Sequence, residues 1–172
     1  LDISEFELEE TGVPLPLKWN KCKLETISFG HGISVTPLQA VATYASLSNG
    51  GNLVKPTILK KDKYLERKKI VSLKTSKQIN SILREVVSGK NGTASLADIY
   101  GYSVGGKTGT SENYQDKKNN MNTFISIFPS ERPKFALLVM LENPKPAPKL
   151  IYNYRGVRTQ VNRHEAGWNS VY

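Results

Sequence analysis

Residues Gly101 to Thr110, Gly-Tyr-Ser-Val-Gly-Gly-Lys-Thr-Gly-Thr, constrain this chain more than any other stretch, because they admit two incompatible backbones. Gly101 to Thr108 satisfies G-x-x-x-x-G-K-[ST], the pattern of a loop that wraps phosphate between a buried strand and a helix. The alternative is a sheet strand, Tyr102 to Thr108, that carries Lys107 at its end. A phosphate loop depends on its helix, whose N-terminus supplies amides and the positive end of a dipole. Here Gly109 would occupy that helix's first turn, where glycine weakens it. The polar run from Thr110 to Asn120 then sets no apolar residues at helical spacing. Phe135 to Glu142 is an apolar run ending in an acid, as a magnesium-holding strand could be, but a buried β-strand explains it equally well. The strand reading is therefore preferred to nucleotide binding.

The rest of the chain supplies partners for such a strand. Asn122 to Phe128 and Lys134 to Glu142 read as two more strands, joined by the hairpin-length Pro129-Ser-Glu-Arg-Pro133, which predicts an antiparallel sheet. Thr36 and Pro37 are the N-cap and first-turn residues of a helix, and Leu38, Val41, Ala42, Ala45 and Leu47 line one face of it. Asn49-Gly50-Gly51 ends it. Lys74 to Ser88 predicts a second helix with Ile79, Ile82, Leu83, Val86 and Val87 inward, stopped by Gly89. Thr93 to Ile99 reads as one further helical turn. Leu53 to Leu59 contains Pro56 and suits an edge strand. Pro144, Pro146 and Pro148 predict an extended segment, and residues 1–27 show no period. Gly30 and Gly32 flank His31, which marks a tight turn, and His164 beside Arg163 and Glu165 reads as a surface residue.

Composition narrows the function classes. A chain of 172 residues with 24 basic and 15 acidic side chains carries a net charge of +9. Nucleic-acid binding would group the lysines with stacking aromatics; here they scatter over Lys55 to Lys77, Lys117-Lys118 and Lys145 to Lys149, so no nucleic acid is expected. No apolar run reaches the roughly 18 residues of a membrane span. Cys22 is the single cysteine, which excludes an internal disulfide. No metal site and no cofactor are expected.

Six elements occur in order: Ser28 to Gln39, Gly50-Gly51, Lys55-Pro56, Gly92-Thr93-Ala94, Gly106 to Thr110 and Ala166-Gly-Trp-Asn169. In content, order and spacing they resemble the C-terminal part of the penicillin-binding transpeptidase domain. Ala166 to Asn169 and the stretch from Leu15-Pro16 to Trp19 look most like the class B, septal cell-division enzymes. The resemblance implies an α/β (α+β) fold: an antiparallel sheet flanked by helices, an incomplete penicillin-binding transpeptidase or β-lactamase-like fold. It also implies peptidoglycan stem peptides ending in D-Ala-D-Ala and β-lactams as partners, divisome proteins as further ones, and a parent in the bacterial inner membrane with this domain facing the periplasm. A positive field would gather the anionic stem peptides.

Such enzymes build their site from Ser-x-x-Lys, Ser-x-Asn and Lys-Thr-Gly, the serine being acylated and its lysine removing the proton. No serine of this chain has a lysine three positions on. Thr57-Ile-Leu-Lys60 has the wrong nucleophile, and Ser111-Glu112-Asn113 falls on the wrong side of Lys-Thr-Gly. Residues 1–172 are therefore expected to be a C-terminal fragment of one transpeptidase domain, without its nucleophile half and final helix, and inactive alone. The resemblance assigns Lys107 the catalytic cation beside the nucleophile. It makes Lys107, Thr108, Gly109 and Thr110 the substrate-binding residues, the threonines offering hydroxyls and the Thr110 amide an oxyanion contact. A non-catalytic interaction module, or a hydrolase using the same motif, would share these residues.

Overall fold

The computed structural model describes residues 6–7, 12–60, 68–112, 120–154 and 156–161. Its first helix, α1 (Lys23–Ser28), lies in the N-terminal stretch where no apolar period marks it. Its end is what the sequence does signal: Gly30, at φ +86°, lets its own N–H reach Ile27 O and that of His31 reach Thr26 O, the paired bonds that close a helix C-terminus.

Helix α2 (Pro37–Ser48) starts where Thr36 and Pro37 place it. The Thr36 hydroxyl accepts from Gln39 N at 3.1 Å, and Gln39 Oε1 accepts from Thr36 N at 3.0 Å, a reciprocal capping box. Its buried residues are all small, Ala42, Ser46 and Ser48. Ser46 turns its proton back to Ala42 O at 2.6 Å and accepts from Val54 N at 2.8 Å, so a buried hydroxyl costs no unmet hydrogen bond. The helix packs against residues 73–88, 120–128 and 135–142 of this chain.

Helix α3 (Leu73–Ser88) is capped by Ser72, whose hydroxyl accepts from Thr75 N at 3.0 Å. Ser76, Asn80, Leu83 and Val87 are its buried line, one residue per turn. Ile82, expected on that face, is 63% exposed because it lies next to the line instead of on it. The two polar members tie α3 to the end of α2: Asn80 Nδ2 donates to Ser48 O at 3.0 Å, and Ser76 Oγ accepts from Gly50 N at 3.0 Å. The turn expected between Thr93 and Ile99 is a 3₁₀ turn, Ser95–Ala97.

The sheet is antiparallel, in the order β1 (Gly105–Glu112), β2 (Asn120–Phe128), β3 (Phe135–Glu142). Thr108 stands opposite Phe124, and Phe124 opposite Val139, so these three share one face. That face holds the core: Phe124 packs with Val87, Ala94, Ala97 and Val104, and Val86, Val139 and Leu141 close around them. With β2 central, the outer edges of β1 and β3 have no strand partner among the described residues.

Two sequence expectations are corrected, and a third gains a pairing that was not expected. Strand β1 begins at Gly105 instead of Tyr102 and continues through the Lys-Thr-Gly to Glu112. The turn residues Gly101 (φ +87°) and Ser103 (φ +47°) cannot be extended, which sets the later start. Among the described residues, Leu53 to Leu59 holds no strand, and the pairing beside it is one bridge, Asn52 with Lys69. The proline-rich segment runs into a two-stranded hairpin, β4 (Ala147–Tyr154) and β5 (Val157–Val161), turned at Gly156 with φ +80°. Among the described residues, no helix is long and apolar enough to cross a membrane.

Candidate functional site

Strand β1 owes its position to two glycines. A Cβ on Gly105 would come within 3.1 Å of Arg84 N, the backbone of α3. One on Gly106 would sit 2.5 Å from Phe124 Cζ and 2.7 Å from Ile125 O. Bare backbone at both positions therefore lets helix and ring close onto the strand. Arg84 adds a second tie, donating from Nη1 to Val104 O at 2.7 Å and from Nη2 to Asp98 Oδ1 at 2.9 Å. Beyond it, Ser103 Oγ donates to Glu131 Oε1 at 2.5 Å, and this bond holds the Glu131 carboxyl below its usual range.

From that anchorage the four residues expected from sequence to bind substrate extend along a strand that is at the edge among the described residues. Lys107 is exposed, and its ammonium donates to Thr108 O at 2.7 Å. Thr110 is exposed as well, and Asn122 Nδ2 donates to its hydroxyl at 3.4 Å. Gly109 lies over Thr123, whose Oγ1 would be 2.6 Å from an added Cβ and reaches Gly109 O at 3.4 Å. Thr108 differs from the other three. It is only 8% exposed, and its Oγ1 lies 3.2 Å from Thr93 Oγ1. Lys107 and Thr110 are thus exposed on the strand, while Thr108 is nearly covered.

A row of extended, sheet-paired residues is the wrong backbone for cradling phosphate, which needs amides converging at a helix start. Gly106, Lys107 and Thr108 pair with Ser126, Ile125 and Phe124, and the geometry fits a ligand laid along the strand edge instead.

Other sequence candidates fall elsewhere. His31 is an exposed turn residue stacked near Phe29, with ring centroids 6.4 Å apart. Cys22 is an exposed free thiol. Ser111 lies in β1 opposite Met121, while Asn113, Lys117-Lys118, His164 and Ala166 to Asn169 lie outside the described residues. Among the described residues, no three acids, histidines or cysteines gather as a metal site would require. Two residues that touch the site were not singled out individually from sequence. Thr93 was seen only as the middle of Gly92-Thr93-Ala94, and Asn122 only as the first residue of a strand. A carboxamide 1% exposed in the central strand, with no hydrogen-bond partner on Oδ1, is the kind of buried polar group that patterning alone does not explain.

Comparison with known proteins identifies the family. The model of the penicillin binding protein transpeptidase domain matches residues 1–161. Stage V sporulation protein D of Bacillus subtilis is 37% identical over 158 residues, covering 82% of this chain and 24% of that protein. A probable peptidoglycan D,D-transpeptidase FtsI of Caulobacter vibrioides is 34% identical, covering 83% of this chain and 26% of that protein. The chain thus spans about a quarter of the length of these curated relatives. Among solved structures, the transpeptidase domain of Burkholderia pseudomallei penicillin-binding protein 3 superposes with a TM-score of 0.67 at 28% identity, over 73% of this chain and 39% of that one. A Burkholderia ambifaria structure described as a peptidoglycan glycosyltransferase shares the fold, with a TM-score of 0.73 at 23% identity over 95% of this chain and 49% of its own. With that match over residues 1–161, and an antiparallel sheet with helices as in its solved neighbours, the chain belongs to the penicillin-binding protein transpeptidase domain family.

Proposed function

We propose that this chain is the C-terminal part of a class B peptidoglycan D,D-transpeptidase domain, whose nucleophile-bearing half is a separate stretch of polypeptide. The observation that carries the reading is that Lys107 and Thr110 are both exposed on β1, an edge strand among the described residues, within a family match that covers nearly the whole chain. In the assembled enzyme a serine attacks the carbonyl of the penultimate D-alanine, and the terminal D-alanine leaves with a proton. The amine of a second stem peptide then attacks the acyl-enzyme and restores the serine.

This chain's share of that chemistry is binding and electrostatics. Lys107 supplies a fixed cation for the terminal carboxylate and for the negative charge that develops near the nucleophile. Thr110 offers a hydroxyl to the carboxylate and a backbone N–H to the oxyanion. Gly109 leaves the strand edge bare, so that the substrate backbone can lie along it. β-Lactams would enter as carboxylate-bearing acylating agents. The same reading places the parent at the inner membrane with this domain in the periplasm, among the proteins of the septum, and leaves the chain by itself without acylation.

The test is Lys107→Ala in the full-length enzyme, read as the rate of acylation by a fluorescent penicillin. A charge-assisted contact is worth about 1.5–3 kcal/mol, so acylation should slow roughly ten- to a hundredfold. Lys134→Ala, an exposed lysine at the β2–β3 connection, should leave the rate within about twofold, as surface charges do. Equal loss in the two variants would mean that diffuse positive charge, and not the Lys-Thr-Gly strand, recognises the ligand.

A further inference from the structure

Gly92-Thr93-Ala94 is one of the six elements that carry the family resemblance, yet the roles assigned above leave it idle. Its backbone is fixed on the end of α3. Gly92 N donates to Gly89 O at 2.8 Å and Ala94 N to Val86 O at 3.1 Å. A Cβ on Gly92 would lie 2.2 Å from Val86 O, and Ala94 is completely buried. With both neighbours held so closely, Thr93 has little freedom, and its hydroxyl lies 3.2 Å from that of Thr108.

We infer that Thr93 is a positioning residue, orienting the Thr108 hydroxyl so that its proton points to the carboxylate of an incoming substrate; this rests on the transpeptidase reading. A hydroxyl has one proton and two acceptor lone pairs. Donation from Thr93 into Thr108 Oγ1 occupies an acceptor site and leaves the Thr108 proton for an outside acceptor. The reverse direction spends that proton on Thr93. A carboxylate has only acceptors, so its arrival selects the first arrangement, and the two hydroxyls polarise each other in series. The buried setting of Thr108 suits this role: a residue 8% exposed cannot rely on water to set its proton. Thr93 thereby acts through Thr108 and touches no substrate itself.

The experiment compares acylation of the full-length enzyme by benzylpenicillin and by its methyl ester, which lacks the anionic carboxylate. Thr93→Val keeps the shape and removes the proton. It should slow acylation by the acid about tenfold, the lower end for a hydrogen bond to a charged group, and leave the ester rate unchanged. Thr93→Ser should restore the acid rate. In a double-mutant cycle, Thr93→Val should add nothing once Thr108 is valine. Equal slowing of acid and ester, no slowing of the acid, or additive losses in the cycle would each overturn the inference. Lys107→Ala separates this from the broader reading. If that variant loses its preference for the acid while Thr93→Val keeps it, only the role of Thr93 falls. If neither variant changes the preference, the carboxylate-binding strand itself is refuted, and the role of Thr93 with it.

Discussion

Residues 12–35 and the layer of α3 against β1 and β2 hold comparable apolar side chains and treat them in opposite ways. Trp19 is 69% exposed, and Val13, Leu15, Leu24, Phe29, Ile33 and Val35 are exposed as well; Phe124 is 4% exposed and Val87 1%. The difference lies in periodicity and in the presence of a second layer, since hydrophobicity is similar in both. Pro14 and Pro16 hold the first region extended, and its one helix, Lys23–Ser28, buries no residue. Helix α3 presents a line of side chains one turn apart to a strand that glycine has thinned to receive it. An apolar residue is buried where two elements can close on it, whatever its own preference.

The comparison can be broken by substitution, with urea unfolding of this chain as the common measure. Phe124→Ala should have the largest effect, about 3–5 kcal/mol, because the ring fills the centre of the cluster and its loss leaves a cavity. Gly106→Ala should follow at about 1–3 kcal/mol, since the new methyl must displace the Phe124 ring and the Ile125 carbonyl. Trp19→Ala should be smallest, within about 0.5 kcal/mol, despite removing the bulkiest side chain of the three. A Trp19 effect as large as that of Phe124 would show that residues 12–35 contribute to the same folded layer.

Much of the fold was legible because its cues are local. The Thr36-Pro37 helix start, the Gly30 turn and the β-branched and aromatic run from Asn122 to Phe128 each declare themselves within a few residues. The hairpin β4–β5 was not legible, because its prolines suggested extension without pairing, and pairing depends on a partner strand. Lys-Thr-Gly was found from its letters, but the letters do not say that Thr108 shares the face of Phe124. That follows from register, Thr108 opposite Phe124, a relation between residues far apart in sequence. Thr93 and Asn122 escaped for the same reason: each matters through the threonine beside it in space.

Strand β3 carries a consequence for the molecule in solution. Phe135 to Leu141 is an unbroken apolar heptad of positions, without charge, proline or glycine, and it lies at a sheet edge that no described strand covers, with Phe135 and Leu137 exposed. Its unpaired amides and carbonyls are a template on which another chain can add a strand. The opposite edge, on β1, is guarded by the charge of Lys107, since an ammonium cannot be stacked into a growing sheet without losing its water. Aggregation of this chain should therefore begin at β3, and a single lysine at Leu137, where the side chain already faces solvent, would be the gatekeeper that the natural sequence lacks there.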